Sequence, residues 1–542
     1  MPSELIDVGD ELPLTIPELL RVRARERRSA ALLTCDDDVL TYADAELRSR
    51  VLAKGLVAAL PDSGSHVGLL HPNGSAFVVA WLASARIGAV TLPFSTFSTG
   101  GELRTLLPGA DVECLLSSSH FRSHRFPVAL SEAIDDLHLA DPPPLLSPTV
   151  PSLRRLWFSE LDPGAHADWS YARLEAGGTT VSDDLLTAVE DGVHPADRMV
   201  IVHTSGSTSA PKGVIHSHGS LIRHIDNLNQ LRRFGADDVL FANSPFFWIG
   251  GLAYALLGAL TAGGGLVCSN ATRPADVLDV IERERPTMVN GFAQGVAHLA
   301  RDPSFAERDL TSIRRGNLYP IMPSEVRPKD PELRHAMLGM TEAGSVCLVS
   351  EDEGDQPEHR RGSFGRPAPG FDALVVDPDT GRVCGCGELG ELYLRGPFMM
   401  EGYYGREWHD TFDREGWFHT GDLVMMDDDG FVYFKGRRGD MIKTSGANVS
   451  PREIELAIAD VSNVSSMVVG IDDDARGQVV AVVLIQPEEG QVDPEAVRSE
   501  LATRLSSYKV PRRFRVIAED QVPRLSSGKP DMHGVRALFD DD

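Results

Sequence analysis

Short apolar runs alternate with amphipathic stretches through the first two thirds of the chain. Residues 66–70 and 89–93 read as buried strands on either side of an apolar helix at 76–87. Residues 199–202 give another short buried strand, and 218–231 has the spacing of a helix. Strands that alternate with helices predict a parallel sheet.

The same pattern continues before and after these segments and then changes. Further strands are predicted at 31–34, 239–242 and 288–290, and further helices at 250–265 and 277–283. Residues 362–435 instead carry short β-rich runs separated by glycine-rich turns, which predicts a small β subdomain, with barrel geometry expected.

The last hundred residues predict a separate α+β module. Its expected elements are helices at 453–458 and 494–504 and strands at 466–471, 479–485 and 513–517. The charged, glycine-flanked stretch 436–440 precedes this module and is the candidate hinge. The fold class predicted is therefore α/β, with a large N-terminal domain over 1–436 and a mobile C-terminal domain over 437–542.

Composition narrows the possible partners. The chain has 542 residues, with 42% apolar and 24% charged residues, as in an ordinary globular protein of several domains. Its net charge of -27 argues against nucleic acid or an anionic membrane as a main partner. No secretory signal and no run of 18 apolar residues is visible. Together with six scattered cysteines, this predicts a cytoplasmic protein without a membrane span. A turn is favoured over a metal pair at Cys384 and Cys386.

A hydroxyl-rich loop follows the strand at 199–202. Gly206 lets backbone N–H groups turn toward an anion, and Lys212 adds a positive charge. The loop's hydroxyl donors are Thr204, Ser205, Ser207 and Thr208. A Walker loop is excluded, because the Gly-Lys order is reversed at Lys212 and Gly213. A phosphate-binding loop of another kind is expected.

Three later stretches carry weaker chemical signals. Thr341 and Glu342 bring together a hydroxyl and a carboxylate, which are suited to bind a nucleotide-bound Mg²⁺. The same pair is also typical of a helix cap. Asp422 follows a glycine and is suited to accept hydrogen bonds from a ribose diol. Lys529, taken alone, is most simply a solvated loop lysine.

The order of these motifs resembles the ANL superfamily of adenylate-forming enzymes, which includes acyl- and aryl-CoA synthetases, nonribosomal adenylation domains and firefly luciferases. The motifs run from the hydroxyl-rich loop through Gly-x-Thr-Glu, Thr-Gly-Asp and Gly-Arg-x-x-Asp to a terminal Ser-Gly-Lys. The resemblance covers the chain from about residue 15. Each motif alone is a weak signal, but five in the same order are not.

The resemblance implies a role for each matching position. It makes 204–213 the loop that grips the ATP phosphates, with Thr204 and Glu342 on the side of the Mg²⁺. It makes Gly439 the hinge residue and Lys529 the lysine beside the reacting carboxylate. The other implied ATP-site residues are Gly316, Asn317, Leu318, Leu338, Gly339, Met340, Thr341, Asp422 and Arg437. The chain departs from the family pattern at Ser209, where glycine is usual, and at Leu338, where an aromatic residue is common.

The implied reaction joins a carboxylate to the α-phosphorus of ATP, releases pyrophosphate and forms an acyl-AMP. Because two anions must meet, Lys529 and Lys212 are expected to neutralise charge together with Mg²⁺. In the second step a thiolate attacks the acyl-AMP, after the C-terminal domain has brought Lys443, Ser445 and Gly446 to the site. Thr341, Glu342, Lys212 and Lys529 are thus the expected catalytic residues.

The acid and the thiol remain open at this stage. The resemblance places Trp248, Gly250, Phe292 and Gly316 around the acyl group, although a core aromatic cluster is an equal reading of Phe246 and Phe247. If Trp248 and Phe292 close the pocket, the acid is short, branched or ring-bearing, and a tunnel past Gly250 is the alternative. A carboxylate for an amino-acid ammonium is missing at 246–248, which favours coenzyme A as the acceptor. A carrier-protein phosphopantetheine and a nucleotide-binding pseudo-enzyme are the alternatives.

Overall fold

The computed structural model describes residues 12–60, 63–204, 211–291, 296, 298–438, 442–449, 451–462, 464–486, 491–523 and 530–540. Several of the predicted site residues lie outside these ranges: Ser205, Gly206, Ser207, Thr208, Ser209, Phe292, Gly439 and Lys529. Arg437 ends a described strand, but its side chain is outside the description.

Two mainly parallel sheets form the frame of the large domain. Seven strands make the first sheet, in the order Gly402–Tyr403, Lys212–Ser217, Arg198–Thr204, Val90–Pro93, His66–Leu70, Cys114–Ser117 and Arg155–Phe158. Six make the second, in the order Arg315–Gly316, Met288–Val289, Val239–Phe241, Gly265–Cys268, Ala31–Cys35 and Asp38–Thr41. Antiparallel pairing is confined to the ends of both sheets, which confirms the predicted α/β class.

Helices cover these sheets and fill the space between them. Those of the large domain are Ile16–Glu26, Tyr42–Ala59, Ser75–Arg86, Gly100–Ala110, Phe126–Ala133, Tyr171–Gly177, Asp183–Asp191, His218–Leu231, Gly258–Ala262 and Pro274–Glu284. Ser75–Arg86 is apolar on nearly all sides and is buried over almost its whole length, Trp81 included. A helix without a polar face belongs in the interior. The run of apolar residues at 76–87 is therefore explained by burial.

Two predicted segments differ from the structure. The single helix expected at 250–265 is a π-helical stretch, Gly250–Leu257, followed by the short helix Gly258–Ala262 and the strand Gly265–Cys268. The loop expected over 204–213 is shorter than predicted, because Thr204 ends one strand and Lys212 begins the next. Lys212 and Gly213 belong to the sheet because they pair with the strand 198–204. The Pro and Gly nearby had predicted a loop at these positions.

The predicted β subdomain over 362–435 contains a four-stranded antiparallel sheet and the last strand of a three-stranded one, which begins before it at Leu338. Three strands form one of them: Leu338–Met340, Ser345–Val349 and Arg366–Pro367. Four form the other: Asp372–Val376, Gly390–Arg395, Phe418–Met426 and Val432–Arg437. Cys384 and Cys386 lie in the connection between the first two strands of the four-stranded sheet, as the turn reading predicted. A two-stranded hairpin, His120–Phe121 with His124–Arg125, lies elsewhere in the large domain.

The C-terminal domain is the predicted α+β module. Its sheet contains the strands Ala447–Val449, Ile442–Thr444, Gly477–Ile485, Ser466–Asp473 and Arg513–Ile517. Its helices are Pro451–Ser462, Pro494–Arg504 and Met532–Ala537. Within the described residues, none of the helices of the chain combines the length and apolar character needed to cross a membrane.

A buried ion cluster ties three helices of the large domain together. Arg86 is inaccessible to solvent and pairs with Glu190, which is also buried, and with Glu46. Its Nε donates to the Ser49 hydroxyl at 2.9 Å. A buried ion pair is costly to break from one side, because the remaining charge is left without its partner in a medium of low polarity.

We expect Arg86→Met to destabilise the large domain by about 3–5 kcal/mol, since it leaves Glu190 to the more distant Arg50, 3.9 Å away. The double variant Arg86→Met/Glu190→Leu should regain most of that loss, because neither charge is then buried alone. Urea denaturation, monitored by circular dichroism, measures the free energy of unfolding of both variants. A double variant as unstable as the single one would contradict this account.

Candidate active site

A cavity of about 1830 Å³ lies between the large domain and the C-terminal domain. Its walls include most of the described residues that the sequence singled out: Thr204, Lys212, Trp248, Gly250, Asn317, Leu338, Gly339, Met340, Thr341, Glu342, Lys443 and Gly446. Residues separated by more than 200 positions in the sequence thus share one cleft. Clefts at domain boundaries are common places for ligand sites.

Lys212 and Thr204 face each other across the hairpin that carries the hydroxyl-rich loop. They are paired residues of two antiparallel strands, and residues 205–210 between the two strands lie outside the described ranges. The Lys212 side chain lies with its Nζ 4.9 Å from the centre of the Tyr403 ring. Burial and the nearby Arg406 lower the pKa of Lys212, and Glu342 partly opposes them. A lysine held beside another cation in a half-buried cleft is suited to an anionic ligand.

The turn with Thr341 and Glu342 is fixed on three sides. The buried His216 donates from Nε2 to the Thr341 carbonyl at 2.7 Å. The backbone N–H of Met400 donates to the Glu342 carbonyl at 2.8 Å. The Tyr403 hydroxyl donates to Glu342 Oε1 at 2.9 Å. The carboxylate that the sequence assigned to a metal is therefore held in place within the cleft.

The predicted adenine segments divide between the cleft and the interior. Asn317 lines the cleft, and its side chain binds both backbone groups of Gly291, at 3.0 and 2.9 Å. Gly316 has φ +129°, and a Cβ there would lie 1.9 Å from the Val289 carbonyl oxygen, so a larger residue is excluded. Leu318 is buried in a hydrophobic cluster behind this wall. The segment 338–340 lines the opposite side of the cleft.

Asp422, the predicted ribose ligand, is buried at 2% exposure next to the cleft wall. The wall itself contains Gly421, whose N–H donates to Glu391 Oε1 at 2.9 Å. Arg438 also lines the cleft and pairs with Glu391 at 3.1 Å. The sequence singled out Arg437 instead. Its neighbour Arg438 is the arginine whose side chain the structure describes here.

The aromatic residues of the acyl segment separate into core and cleft. Phe246 is fully buried and packs on Phe77, with ring centres 5.4 Å apart. Phe247 and the half-exposed Trp248 line the cleft, with their rings 5.5 Å apart. Phe246 thus belongs to the core, and the acyl-pocket role of Trp248 stays a prediction. Gly250 lies beside Trp248 in the same wall and starts the π-helical stretch.

The loop that joins the strands Ile442–Thr444 and Ala447–Val449 forms part of the wall that the C-terminal domain supplies. Lys443 and Gly446 line the cleft, and Lys443 Nζ lies 4.4 Å from the centre of the Phe434 ring in the β subdomain. Ser445, between them, has a positive φ of 49° and is exposed. The positive φ turns the chain back sharply here.

Glu102 is the main anchor between the two domains. One carboxylate accepts three hydrogen bonds from the C-terminal domain: from the Ser506 N–H at 2.9 Å, the Ser506 hydroxyl at 2.7 Å and Lys509 at 3.1 Å. Lys509 also binds Glu453 at 2.8 Å. Burial works against the charge of Lys509, but Glu102, Tyr508 and Glu453 outweigh it and raise the pKa of Lys509. The closed cleft depends on this buried charge cluster.

Sequence reasoning missed four residues that organise the cleft: Glu102, His216, Glu391 and Tyr403. Glu102 had a local signal, since Thr99 and Glu102 form a capping box at the start of the helix Gly100–Ala110. That signal explains the helix start and says nothing about a second domain. His216, Glu391 and Tyr403 lie inside predicted or observed strands, where a polar residue has no motif to mark it.

Comparison with known proteins agrees with this geometry. Residues 20–404 match the family model described as AMP-binding enzyme, and 453–529 match the AMP-binding enzyme C-terminal domain. The putative acyl-CoA synthetase YngI of Bacillus subtilis (strain 168) is 29% identical over 92% of this chain and 91% of its own. A feruloyl-CoA synthase of an Amycolatopsis species is 30% identical over 95% of this chain and 97% of its own.

The solved structures support the fold. The amide bond synthetase McbA from Marinactinospora thermotolerans superposes with a TM-score of 0.77, at 23% identity, over 96% of this chain and 99% of its own. The chain belongs to the family of AMP-binding, adenylate-forming enzymes. This confirms the predicted class, an AMP-forming acid–thiol ligase, and two of the cofactors predicted with it, ATP and Mg²⁺.

Two histidines at the site, the buried His216 and the partly buried His203, predict a loss of stability in acid. Burial, with a smaller effect of His66 on His203, lowers the pKa of His203 and His216 to about 4. The unfolded chain takes up these protons near pH 6.5. Below that pH the unfolded state binds more protons, so each histidine removes about 1.4 kcal/mol of stability per pH unit until about pH 4.

We therefore expect the melting temperature to fall more steeply between pH 6.5 and 5 in the wild type than in His203→Phe, which keeps a ring against Phe94. Thermal denaturation at half-unit pH steps measures the slopes. His138→Gln, at an exposed histidine, is the control and should follow the wild type. Equal slopes for His203→Phe and the wild type would exclude this cause.

Proposed function

We propose that this enzyme activates a ring-bearing carboxylic acid as its acyl-AMP, with release of pyrophosphate, and transfers the acyl group to the thiol of coenzyme A. The observation that carries the proposal is that one cleft contains three sets of groups. A cationic and acidic set is formed by Lys212, Thr341 and Glu342, an aromatic set by Phe247 and Trp248, and a C-terminal set by Lys443 and Gly446.

The residues of the cleft fit a magnesium nucleotide. Lys212, Arg406 and Arg438 supply positive charge along the walls of a chain whose net charge is -27, so an anion is attracted locally. The Glu342 carboxylate and the Thr204 hydroxyl are oxygen ligands of the kind that Mg²⁺ takes. The metal, when bound, would neutralise phosphate charge there. Lys212 would orient the pyrophosphate and Glu342 would hold the metal.

The aromatic wall supports a planar acid as the substrate. Phe247 and Trp248 meet in an edge-on arrangement, and Tyr254 lines the cleft near them. Aromatic side chains pack favourably against flat aromatic groups, edge-on or offset-stacked. The feruloyl-CoA synthase relative is named for an acid with an aromatic ring. An aryl or arylalkenoic acid is therefore the substrate class we propose.

Coenzyme A is proposed as the acceptor because the closed cleft presents Lys443 and Gly446 opposite the nucleotide side. The C-terminal lining includes the cations Lys443 and Arg476 beside the glycine backbone of Gly446 and Gly477, which suits a narrow pantetheine arm and its phosphates, and it also includes the acidic Glu453 and Asp460. A carrier protein would deliver the same arm. An assay must therefore distinguish free coenzyme A from a carrier protein as the acceptor.

Pyrophosphate release should appear with a subset of aryl and arylalkenoic acids, and the thioester should form when coenzyme A is added. A coupled phosphate assay measures the first and chromatography of the thioester the second, over a panel that also contains linear fatty acids and amino acids. Pyrophosphate release without any CoA thioester would indicate carrier-protein loading. No release with any acid would overturn the proposed activation step.

Lys529→Ala should reduce acyl-AMP formation by a factor of about 100 or more, because the carboxylate and phosphate would meet without their cation. The same variant should convert synthetic acyl-AMP and coenzyme A to thioester at close to the wild-type rate. Lys329→Ala, at an exposed lysine, is the matched control and should retain both half-reactions. An equal loss of both half-reactions in Lys529→Ala would contradict the role.

A further inference from the structure

We infer that Tyr403 is a positioning residue for the metal-side carboxylate, acting through its hydroxyl on Glu342 and through its ring on Lys212. The inference rests on the proposed function, since it assigns Glu342 and Lys212 to the magnesium nucleotide. The juxtaposition is specific. The Tyr403 hydroxyl donates to Glu342 Oε1 at 2.9 Å, and Lys212 Nζ lies 4.9 Å from the centre of the same ring.

The sheet fixes where the Tyr403 ring can be. Gly402–Tyr403 forms the edge strand of the seven-stranded sheet, and Tyr403 pairs with Val214 in the strand that begins at Lys212. Tyr403 is 7% exposed, so its ring is clamped by its surroundings. A side chain with two torsions and a buried ring holds its hydroxyl in a narrow range of positions.

The hydroxyl is a useful donor at this point because Glu342 must present its carboxylate in one orientation. A hydrogen bond from a phenol to one carboxylate oxygen selects one orientation of the carboxyl group. The backbone of Glu342 is already held by Met400, so the remaining freedom lies in its side chain. Tyr403 restricts that freedom and leaves the second oxygen, Oε2, for another ligand.

The ring couples the two sides of the nucleotide site. An ammonium over an aromatic face is attracted to it, by about 0.5–1 kcal/mol at exposed sites and more when desolvated. Arg406 lies on the same ring, with its guanidinium carbon 5.8 Å from the centre. Tyr403 therefore sets the position of the cation for phosphate and that of the carboxylate for metal with one rigid group.

The neighbouring residue offers a matched control. Tyr404 is also a tyrosine, but its hydroxyl donates to Asp111 at 2.7 Å and its ring packs edge-on against His66. Tyr403→Phe and Tyr404→Phe each remove one hydroxyl and one hydrogen bond to a carboxylate. The first changes a bond inside the cleft, and the second changes one outside the described cleft lining.

Binding of a non-hydrolysable ATP analogue with a methylene group between the α and β phosphorus atoms tests the inference. Isothermal titration calorimetry is performed with the full-length enzyme in Mg²⁺ and again in EDTA. We expect Tyr403→Phe to weaken binding about tenfold in Mg²⁺ and to leave binding in EDTA unchanged. Tyr404→Phe should match the wild type in both conditions, and the melting temperatures of both variants should fall equally or not at all.

A second readout separates positioning from general damage. Tyr403→Phe should slow pyrophosphate release and raise the Mg²⁺ concentration for half-maximal activity several-fold, while thioester formation from synthetic acyl-AMP stays at the wild-type rate. The inference would be overturned if Tyr403→Phe weakened binding of the analogue equally with and without Mg²⁺. It would also be overturned if the variant bound the analogue as the wild type does in both conditions. Failure of the wild type itself to bind the analogue would instead count against the proposed function.

Discussion

The site depends on the antiparallel pairing of the strand Lys212–Ser217 on both of its edges. One edge pairs with Arg198–Thr204, which sets Lys212 opposite Thr204. The other pairs with Gly402–Tyr403, which brings Tyr403 from nearly 200 residues later in the sequence. His216, in the same strand, binds the Thr341 carbonyl. Because a one-residue change of register would reverse every side chain, this pairing fixes the cation, the tyrosine and the carboxylate together.

The second wall of the cleft is held by a cluster of mostly buried charges. Glu102 and Glu453 share Lys509, and all three side chains are at least four-fifths covered. Such a cluster is stable only when complete, because each member alone would be a buried unpaired ion. An interface of this kind closes in one defined orientation. That orientation places Lys443 and Gly446 in the cleft and is consistent with the proposed thioester step.

The spacing of apolar residues predicted the bounds of several helices and strands correctly. The strand His66–Leu70 and the helices His218–Leu231 and Pro494–Arg504 have the expected bounds. The prediction of one helix over 250–265 was wrong, because Gly250–Leu257 is π-helical. An apolar run of residues does not distinguish a π-helix from an α-helix. Motif order identified the family and the cleft residues Lys212, Thr341 and Glu342. The predicted roles of Lys529 and Gly439 remain predictions.

By itself the sequence determined the α/β class and the chemical types that an adenylating site needs, while the division near residue 436 stays a prediction. Those features follow from periodicity and from motifs, which are local properties of the chain. Tertiary structure alone decided which polar residues act together. Tyr403 reaches Glu342, and Glu102 reaches Lys509, across separations of 61 and 407 residues. No local pattern encodes such pairs, because strand pairing and domain packing bring them into contact only in the folded chain.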